Sequence, residues 1–120
     1  MSIELLNHQV FNGGEVIFKA GESPRCAYLI QSGAVHILAG REDHAPIVTT
    51  LVAGDLLGEM ALVDAQPRSA TAVAKQTTTC ITIMPGDFGS RLAKSDPLVR
   101  AMVKSLTRRL RQTTPTRVSA

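Results

Sequence analysis

The feature of this sequence that most restricts its fold is a regular alternation of short apolar runs and turn residues between residues 14 and 84. Glycine, proline or polar residues interrupt the runs about every eight to twelve residues, a spacing typical of proteins built from short antiparallel strands. The apolar runs are Val16–Phe18, Ala27–Ile30, Val35–Leu38, Ile47–Val52, Ala70–Ala74 and Cys80–Met84. Roughly seven strands at this spacing predict a sandwich, jelly roll or barrel.

One segment inside this region has a different character. Leu56 to Ala65 has a single β-branched residue, Val63, and contains Glu59–Leu62, whose residues favour helix over strand. We expect one helical turn here, with backbone N–H groups at its start that suit an anion. Gly58, just before it, would let the backbone approach a ligand closely.

The pattern becomes helical after residue 84. Asp87–Ala93 predicts a short helix, and Pro97 marks the first position of a longer one, capped by Ser95 or Asp96. The longer helix ends by Pro115. Its apolar residues recur three and four positions apart and form a stripe that consists of Leu98, Val99, Met102, Val103, Leu106 and Leu110.

Length and composition predict a single domain over residues 1–120, with its β region at about 14–84 and its helices at about 86–114. Residues 3–10 suit either a strand or a helical turn. No apolar stretch approaches the roughly 18 residues of a membrane span, and no signal peptide is evident. Cys26 and Cys80 form no CxxC pair, so we expect buried thiols in a reducing cytoplasm.

Charge is distributed unevenly along the chain. Residues 1–90 contain five Lys/Arg and nine Asp/Glu, whereas residues 91–120 contain eight Lys/Arg and one Asp/Glu. A basic C-terminal part suits an anionic partner, and it equally suits the solvated face and C-terminal end of a helix. No helix-turn-helix pattern follows the β region, so we expect no DNA binding.

The most specific motif is Gly58-Glu59-Met60-Ala61-Leu62 followed, from residue 68, by Arg68-Ser69-Ala70-Thr71-Ala72. An arginine fork suits the single negative charge of a 3′,5′-cyclic phosphate, and a carboxylate suits the ribose 2′-hydroxyl. A surface ion pair between Glu59 and Arg68 would contribute little by itself, but the complete pattern is far more specific. It resembles the phosphate-binding cassette of the cyclic-nucleotide-binding domain family.

That family includes the catabolite activator protein, the regulatory subunits of cyclic-AMP-dependent kinase and the cyclic-nucleotide-gated channels. The resemblance covers roughly residues 8–112 and includes glycines at turns, namely Gly14, Gly21, Gly33 and Gly54. It implies a mainly β fold, an antiparallel jelly-roll-like β-roll, with flanking helices of which the C-terminal ones act as a lid.

The resemblance also implies which residues contact the ligand. Arg68 resembles the arginine that pairs with the cyclic phosphate, and Glu59 the glutamate that accepts the 2′-hydroxyl. Ser69 matches a serine that reaches the phosphate in bacterial regulators. The cassette residues that it assigns to ligand binding are Gly58, Glu59, Met60, Ala61, Arg68 and Ser69.

The choice of base depends on residues outside the cassette. The run Arg108–Thr114 looks like the segment of the catabolite activator protein that reaches the adenine edge, and Thr113 and Thr114 fall at the matching positions. The alternative is that these threonines are only the polar end of a helix. We predict cyclic AMP rather than cyclic GMP as the ligand, and no metal or other cofactor.

The resemblance implies a sensor, not an enzyme. Nucleotide would draw the cassette inward, reposition Leu62 and fold the helix Pro97–Arg111 over the base. The three histidines show no HxH or HExxH spacing, and no Ser or Cys is paired by sequence with a base, so we expect no catalysis. A metal-dependent cupin-type enzyme would need clustered His/Glu ligands that this sequence lacks.

A binding-deficient interaction module is the alternative. In that case the β-roll would not take nucleotide, and the apolar stripe of the long helix would join two copies of the chain. A homodimer through this helix is compatible with either function, although one helix of this length is marginal alone. The effector that responds to the sensor, and whether the chain stands alone or belongs to a longer protein, stay open.

Overall fold

Two four-stranded antiparallel sheets enclose the core in the computed structural model, which describes residues 7–42, 44–62 and 66–113. The strands are β1 (Asn7–Phe11), β2 (Val16–Phe18), β3 (Ala27–Ser32), β4 (Ala34–Leu38), β5 (Ile47–Val52), β6 (Leu56–Leu57), β7 (Thr71–Ala74) and β8 (Thr78–Ile83). Sheet I has the order β1-β8-β3-β6, and sheet II the order β2-β7-β4-β5. The predicted mainly β fold is confirmed.

Alternation of side chains explains how both sheets share one core. In β4, Val35 and Ile37 are buried between the sheets, whereas the intervening His36 is partly exposed and its Nδ1 lies 3.0 Å from Thr50 Oγ1. Such period-two patterning places one face of each strand in the core. The core cluster consists of Phe11, Phe18, Ile30, Val35, Ile37, Leu57, Ala70, Ala72, Ala74 and Cys80.

The structure resolves the open assignment near the N-terminus in favour of a strand. Residues Asn7–Phe11 form β1 and pair with β8 in the register Asn7↔Thr82 to Phe11↔Thr78. Four of its five residues are exposed, so its sequence carries little apolar alternation, and the strand is defined by its backbone pairing. The β region therefore begins before residue 14. Residues 3–6 lie outside the described chain.

The prediction of one helical turn between Leu56 and Ala65 is confirmed, but the segment also contains a short strand that was not predicted. Leu56 and Leu57 form β6, because they pair with Leu29 and Tyr28 of β3. The helical part is shorter, a 3₁₀ helix over Glu59–Leu62. Residues 63–65 lie outside the described chain.

Both predicted C-terminal helices are present as α1 (Pro85–Ala93) and α2 (Pro97–Thr113). α1 begins earlier than predicted because proline is compatible with the first helical turn. Asp96 caps α2, since its Oδ1 accepts the N–H of Leu98 at 2.8 Å. Ser95 has a different role: its hydroxyl donates to Leu92 O at 2.6 Å at the end of α1.

Most of the apolar stripe of α2 that the structure describes is exposed. Leu98, Met102 and Leu106 keep 68%, 55% and 59% of their accessible surface. The stripe that the sequence predicts is therefore present on the helix, but the sheets do not cover these side chains. None of the helices among the described residues is long and apolar enough to cross a bilayer.

The two cysteines are buried free thiols, as predicted. Burial raises the pKa of the Cys80 thiol to about 11. His8 and His44 are exposed and His36 is partly exposed. Within the described ranges, no group of three or more His, Cys, Asp or Glu side chains is placed to hold a metal ion.

Gly33 should tolerate a side chain far less than another left-handed glycine, Gly54. Gly33 (φ +102°) is the single residue between β3 and β4, where the chain passes from one sheet to the other, and a Cβ there would overlap Thr78 Oγ1 and Thr77 O. Gly54 (φ +94°) has nothing within 4 Å of that position. Both alanine variants incur the left-handed penalty of about 1–2 kcal/mol, and Gly33→Ala adds roughly 1–3 kcal/mol for overpacking.

Urea unfolding of the two variants measures this difference. Gly54→Ala is the matched control, because it carries the same change in chemistry and nearly the same φ. Equal losses in the free energy of unfolding would show that contact with Thr77 and Thr78 is not what requires glycine at position 33.

Candidate functional site

Gly58 turns the chain from β6 into the short 3₁₀ helix. Its φ of +67° lies in the left-handed region that favours glycine. The Gly58 carbonyl accepts the N–H of Ala61 at 3.0 Å, which closes the first turn. The same carbonyl faces the Arg68 side chain, whose Nη1 lies 3.4 Å away. The two halves of the cassette motif therefore meet at this residue.

The Arg68 guanidinium lies in the interior and contacts three separate parts of the chain. The residue is only 8% exposed. Its Nη2 donates to Cys26 O at 2.7 Å, its Nη1 donates to Gly58 O, and its Cζ lies 4.1 Å from the centroid of the Phe18 ring. A buried cation needs such partners, because an unsolvated charge is costly.

The backbone of Arg68 is held by a second set of bonds. Its N–H donates to Glu22 O at 2.8 Å, and its carbonyl accepts the N–H of Gly21 at 2.8 Å. The turn that contains these partners is itself closed, since Glu22 Oε1 accepts the N–H of Lys19 at 2.7 Å. The side chain therefore leaves from a fixed backbone, and its position is defined at both ends.

Burial lowers the pKa of Arg68, because the charged form loses hydration. The electrostatic influence of Cys26, Tyr28 and Glu22 acts in the opposite direction. Arginine starts from so high a pKa that it keeps its charge at neutral pH. The site thus presents a permanent cation in surroundings that solvate it poorly.

A cavity of about 330 Å³ opens beside this cation. Its walls come from β2, from the turn that follows it, from the start of β3 and from Arg68. They are formed by Ile17, Phe18, Glu22, Ser23, Arg25, Cys26, Tyr28 and Arg68. The volume is within the range of about 300–1,000 Å³ usual for small-molecule sites.

A second, larger cavity of about 510 Å³ shares none of these residues. It is lined by sheet II residues such as Val16, His36 and Val73, and by Lys19 and Arg41 near the turns. Size alone would favour this cavity. The smaller cavity is lined by the buried Arg68, the predicted phosphate ligand, and we take it as the candidate site.

The structure brings together some of the predicted site residues. Gly58 and Arg68 are in contact, Glu59 is partly buried at the start of the 3₁₀ helix, and Ala61 is buried within the same helix. Ser69 is exposed next to Arg68. The side chain of the remaining cassette residue, Met60, is not among those described.

The two threonines predicted to contact the base are not brought to the site by any described contact. Thr113 is the last residue of α2, and its side chain lies outside the described part of the structure. Thr114 also lies outside the described residues. Their contact with a base stays a prediction.

Several residues at the site were missed by sequence reasoning. Phe18, Cys26 and Tyr28 surround the guanidinium or its cavity, yet each looks like an ordinary apolar strand residue in the sequence. The one available signal was scarcity, since the chain has only three Phe and one Tyr. Aromatic residues that are rare and lie near turns deserve a functional interpretation beside the packing one.

Comparison with known proteins establishes the family. The family model of the cyclic nucleotide-binding domain matches residues 8–95. This chain belongs to the cyclic nucleotide-binding domain family, and the resemblance inferred from the cassette is confirmed.

Relatives of this chain include receptors and kinase subunits. It is 28% identical over 116 residues to the cyclic AMP receptor protein of Thermus thermophilus, covering 93% of this chain and 52% of that protein. It is 32% identical over 85 residues to the cAMP-dependent protein kinase regulatory subunit of Yarrowia lipolytica, covering 71% of this chain and 22% of that subunit. The chain therefore spans about half of the first relative and less of the second.

Solved structures give the same fold. The half-site-occupied form of the EAL enzyme Bd1971 matches with a TM-score of 0.81 at 29% identity, over 89% of this chain and 96% of that one. Forms of the same enzyme described as cAMP-bound and cGMP-bound match with TM-scores of 0.69 and 0.72, over 29% and 30% of those chains.

Gly58→Ala should displace the Arg68 guanidinium. An added Cβ would overlap Arg68 Nη1, so the side chain must move away from Gly58 O. We expect the ¹⁵N and ¹H resonances of this guanidinium to shift in NMR spectra of the variant. Gly14→Ala is the control, because Gly14 has a comparable φ of +90° and nothing within 4 Å. Unchanged Arg68 resonances in Gly58→Ala would contradict the close contact.

Proposed function

We propose that this protein is a sensor that binds a cyclic nucleotide, preferentially cyclic AMP, beside Arg68 and transmits binding to helix α2. The observation that carries this proposal is the buried Arg68 guanidinium, fixed against Gly58 O and next to a cavity of about 330 Å³. Membership of the cyclic nucleotide-binding domain family supports the ligand class.

The chemistry of the site suits this ligand. A cyclic phosphate carries one negative charge and would accept charge-assisted hydrogen bonds from the guanidinium fork. Ser69, an exposed residue next to Arg68 in the chain, would donate its hydroxyl to the phosphate, and Glu59, on the 3₁₀ helix after Gly58, would accept the ribose 2′-hydroxyl. Binding of this kind requires no bond making or breaking, so we propose a regulatory role and not a catalytic one. We propose the cytoplasm as its location.

Loss of the guanidinium should abolish most of the affinity. Arg68→Ala removes a charge-assisted bond of roughly 1.5–3 kcal/mol and leaves a desolvated phosphate, so we expect binding of cyclic AMP to weaken by at least about 100-fold. Arg68→Lys keeps the charge but lacks the fork, and should fall between parent and alanine variant. Isothermal titration of nucleotide-free protein measures the affinity of the parent and of both variants for cyclic AMP.

Two controls accompany this titration. Lys75→Ala removes an exposed positive charge outside the cavity and should bind like the parent. Circular dichroism verifies that the Arg68 variants fold, since this residue also bonds two carbonyls in the interior. Binding by Arg68→Ala within threefold of the parent would place the nucleotide elsewhere.

Preference for cyclic AMP is the finer part of the proposal. The relatives include a cyclic AMP receptor, and the solved neighbours include both cAMP-bound and cGMP-bound forms of one enzyme. The resemblance to the catabolite activator protein places Thr113 and Thr114 at positions that reach the adenine edge, and this also favours cyclic AMP. Competition titrations with cyclic GMP and 5′-AMP decide this: a sensor of cyclic AMP rejects 5′-AMP and binds cyclic GMP more weakly.

The response element of the proposed sensor is α2. Its exposed stripe of Leu98, Met102 and Leu106 provides an apolar surface with which the helix can fold over the base or meet a second copy of the chain. Nucleotide would shift the population between arrangements of this helix by binding one of them more tightly. We propose a homodimer through this stripe.

Charge placed on the stripe should separate the two copies. Met102→Glu introduces a carboxylate into the proposed interface, whereas Lys104→Glu makes a like substitution at an exposed residue off the stripe. We expect light scattering after size exclusion, with and without cyclic AMP, to show a dimer for the parent and Lys104→Glu, and a monomer for Met102→Glu. A monomeric parent in both conditions would contradict the homodimer.

The exposed stripe also favours a second candidate function, an interaction module that has lost nucleotide binding. In that case the folded, nucleotide-free protein would give no heat with either cyclic nucleotide, yet would still dimerise. The intact Glu59 and Arg68 favour the sensor over this alternative.

A further inference from the structure

Three aromatic rings lead from the first strand to the Arg68 guanidinium. The Phe11 and Tyr28 rings meet edge to face with centroids 5.9 Å apart, and the Tyr28 and Phe18 rings stack at 6.4 Å with planes inclined by 22°. The Phe18 ring then has the Cζ of Arg68 over it at 4.1 Å. Phe18 is therefore the aromatic residue in direct contact with the cation.

The backbone fixes Phe18 relative to Arg68. Phe18 pairs with Ala72 in the β2–β7 ladder, and Gly21 and Glu22 pair with Arg68 itself. The segment 18–22 thus runs antiparallel to the segment 68–72 and is bonded to it at both ends. Phe18 and Arg68 cannot shift relative to each other without breaking these backbone pairs.

The position of the Phe18 ring over Arg68 Cζ has a geometric consequence for the arginine. The N–H groups of a guanidinium lie in its own plane, so a ring over the central carbon leaves them directed outward, where they can meet an acceptor. Phe18 and Arg68 both line the cavity of about 330 Å³. A ligand phosphate in this cavity would therefore meet an arginine whose position is already set by the ring and by its two carbonyl partners.

We propose that Phe18 is a positioning residue for nucleotide binding, whose ring face holds the Arg68 guanidinium in the orientation that receives the cyclic phosphate. This inference rests on the proposed function, since it concerns the affinity for the same ligand. The negative face of the ring also partly replaces the water that the buried cation has lost. A leucine would fill much of the same space, but it has no ring face to orient the guanidinium or to replace its lost hydration.

Fluorination of the Phe18 ring tests this role at nearly constant size. Each fluorine reduces the negative potential of the ring face and weakens its attraction for a cation. With phenylalanine, monofluoro-, difluoro- and trifluorophenylalanine incorporated at position 18, we expect the affinity for cyclic AMP to fall stepwise, by roughly 3- to 30-fold over the series. Isothermal titration gives each value.

Phe11 provides the matched control. It is as buried as Phe18 and belongs to the same row of rings, but it contacts Tyr28 and not the guanidinium. The same fluorinated residues at position 11 should leave the affinity unchanged. A graded loss at position 18 alone supports the proposal, whereas equal losses at both positions would reduce it to a general effect of core packing.

A ligand-free readout uses the ring current. The Arg68 guanidinium protons over the Phe18 ring should resonate upfield in NMR spectra of the empty protein. Phe18→Leu should remove this shift and weaken binding, and Phe18→Tyr, which keeps the ring, should restore both. Phe18→Leu that folds and binds like the parent would overturn the proposal.

The outcomes separate this inference from the function on which it rests. A parent that binds cyclic AMP while the position-18 series stays flat overturns the role of Phe18 and leaves the sensor intact. A folded, nucleotide-free parent that binds neither cyclic nucleotide overturns the proposed function, and the positioning role with it.

Discussion

The interaction on which the rest of the site depends is the burial of one cation, Arg68, among groups that come from three distant parts of the chain. A buried charge is tolerated only with close polar partners, and here Cys26 O, Gly58 O and the Phe18 ring supply them. Each partner belongs to a segment that the β-roll must place correctly. Folding of the roll and assembly of the site are therefore the same event.

This arrangement holds a positive charge in the interior, where solvent has little access to it. The backbone of Arg68 pairs with the turn at Gly21 and Glu22, so the side chain pays little further conformational entropy when a ligand arrives. The cavity beside it is walled by β2, by the start of β3 and by the turn that joins them, and it is smaller than the cavity on sheet II. We propose the smaller cavity as the site because a fixed charge lines it, although the other cavity is larger.

Helix α2 contrasts with this fixed site. The β-roll encloses a dense core of Ile30, Val35, Leu57 and Cys80, whereas the stripe of α2 remains exposed. An amphipathic helix without a covered face gains little from burial and can change its partners at small cost. The fold therefore combines a densely packed β-roll with a helix whose described apolar side chains are mostly exposed.

The sequence by itself determined the features that depend on interactions between residues close together in the chain. Turn spacing, a helix cap at Ser95 or Asp96, the two helices and the cassette motif depend on neighbours along the chain, and all were recognisable without a structure; the structure assigns the cap to Asp96. The strand β1, the pairing of Leu56 and Leu57 with β3, and the approach of Phe18 and Cys26 to Arg68 depend on strand pairing between distant segments. Only the tertiary structure decided these, because hydrogen bonds between strands and the burial of a charge arise from contacts that no local pattern records.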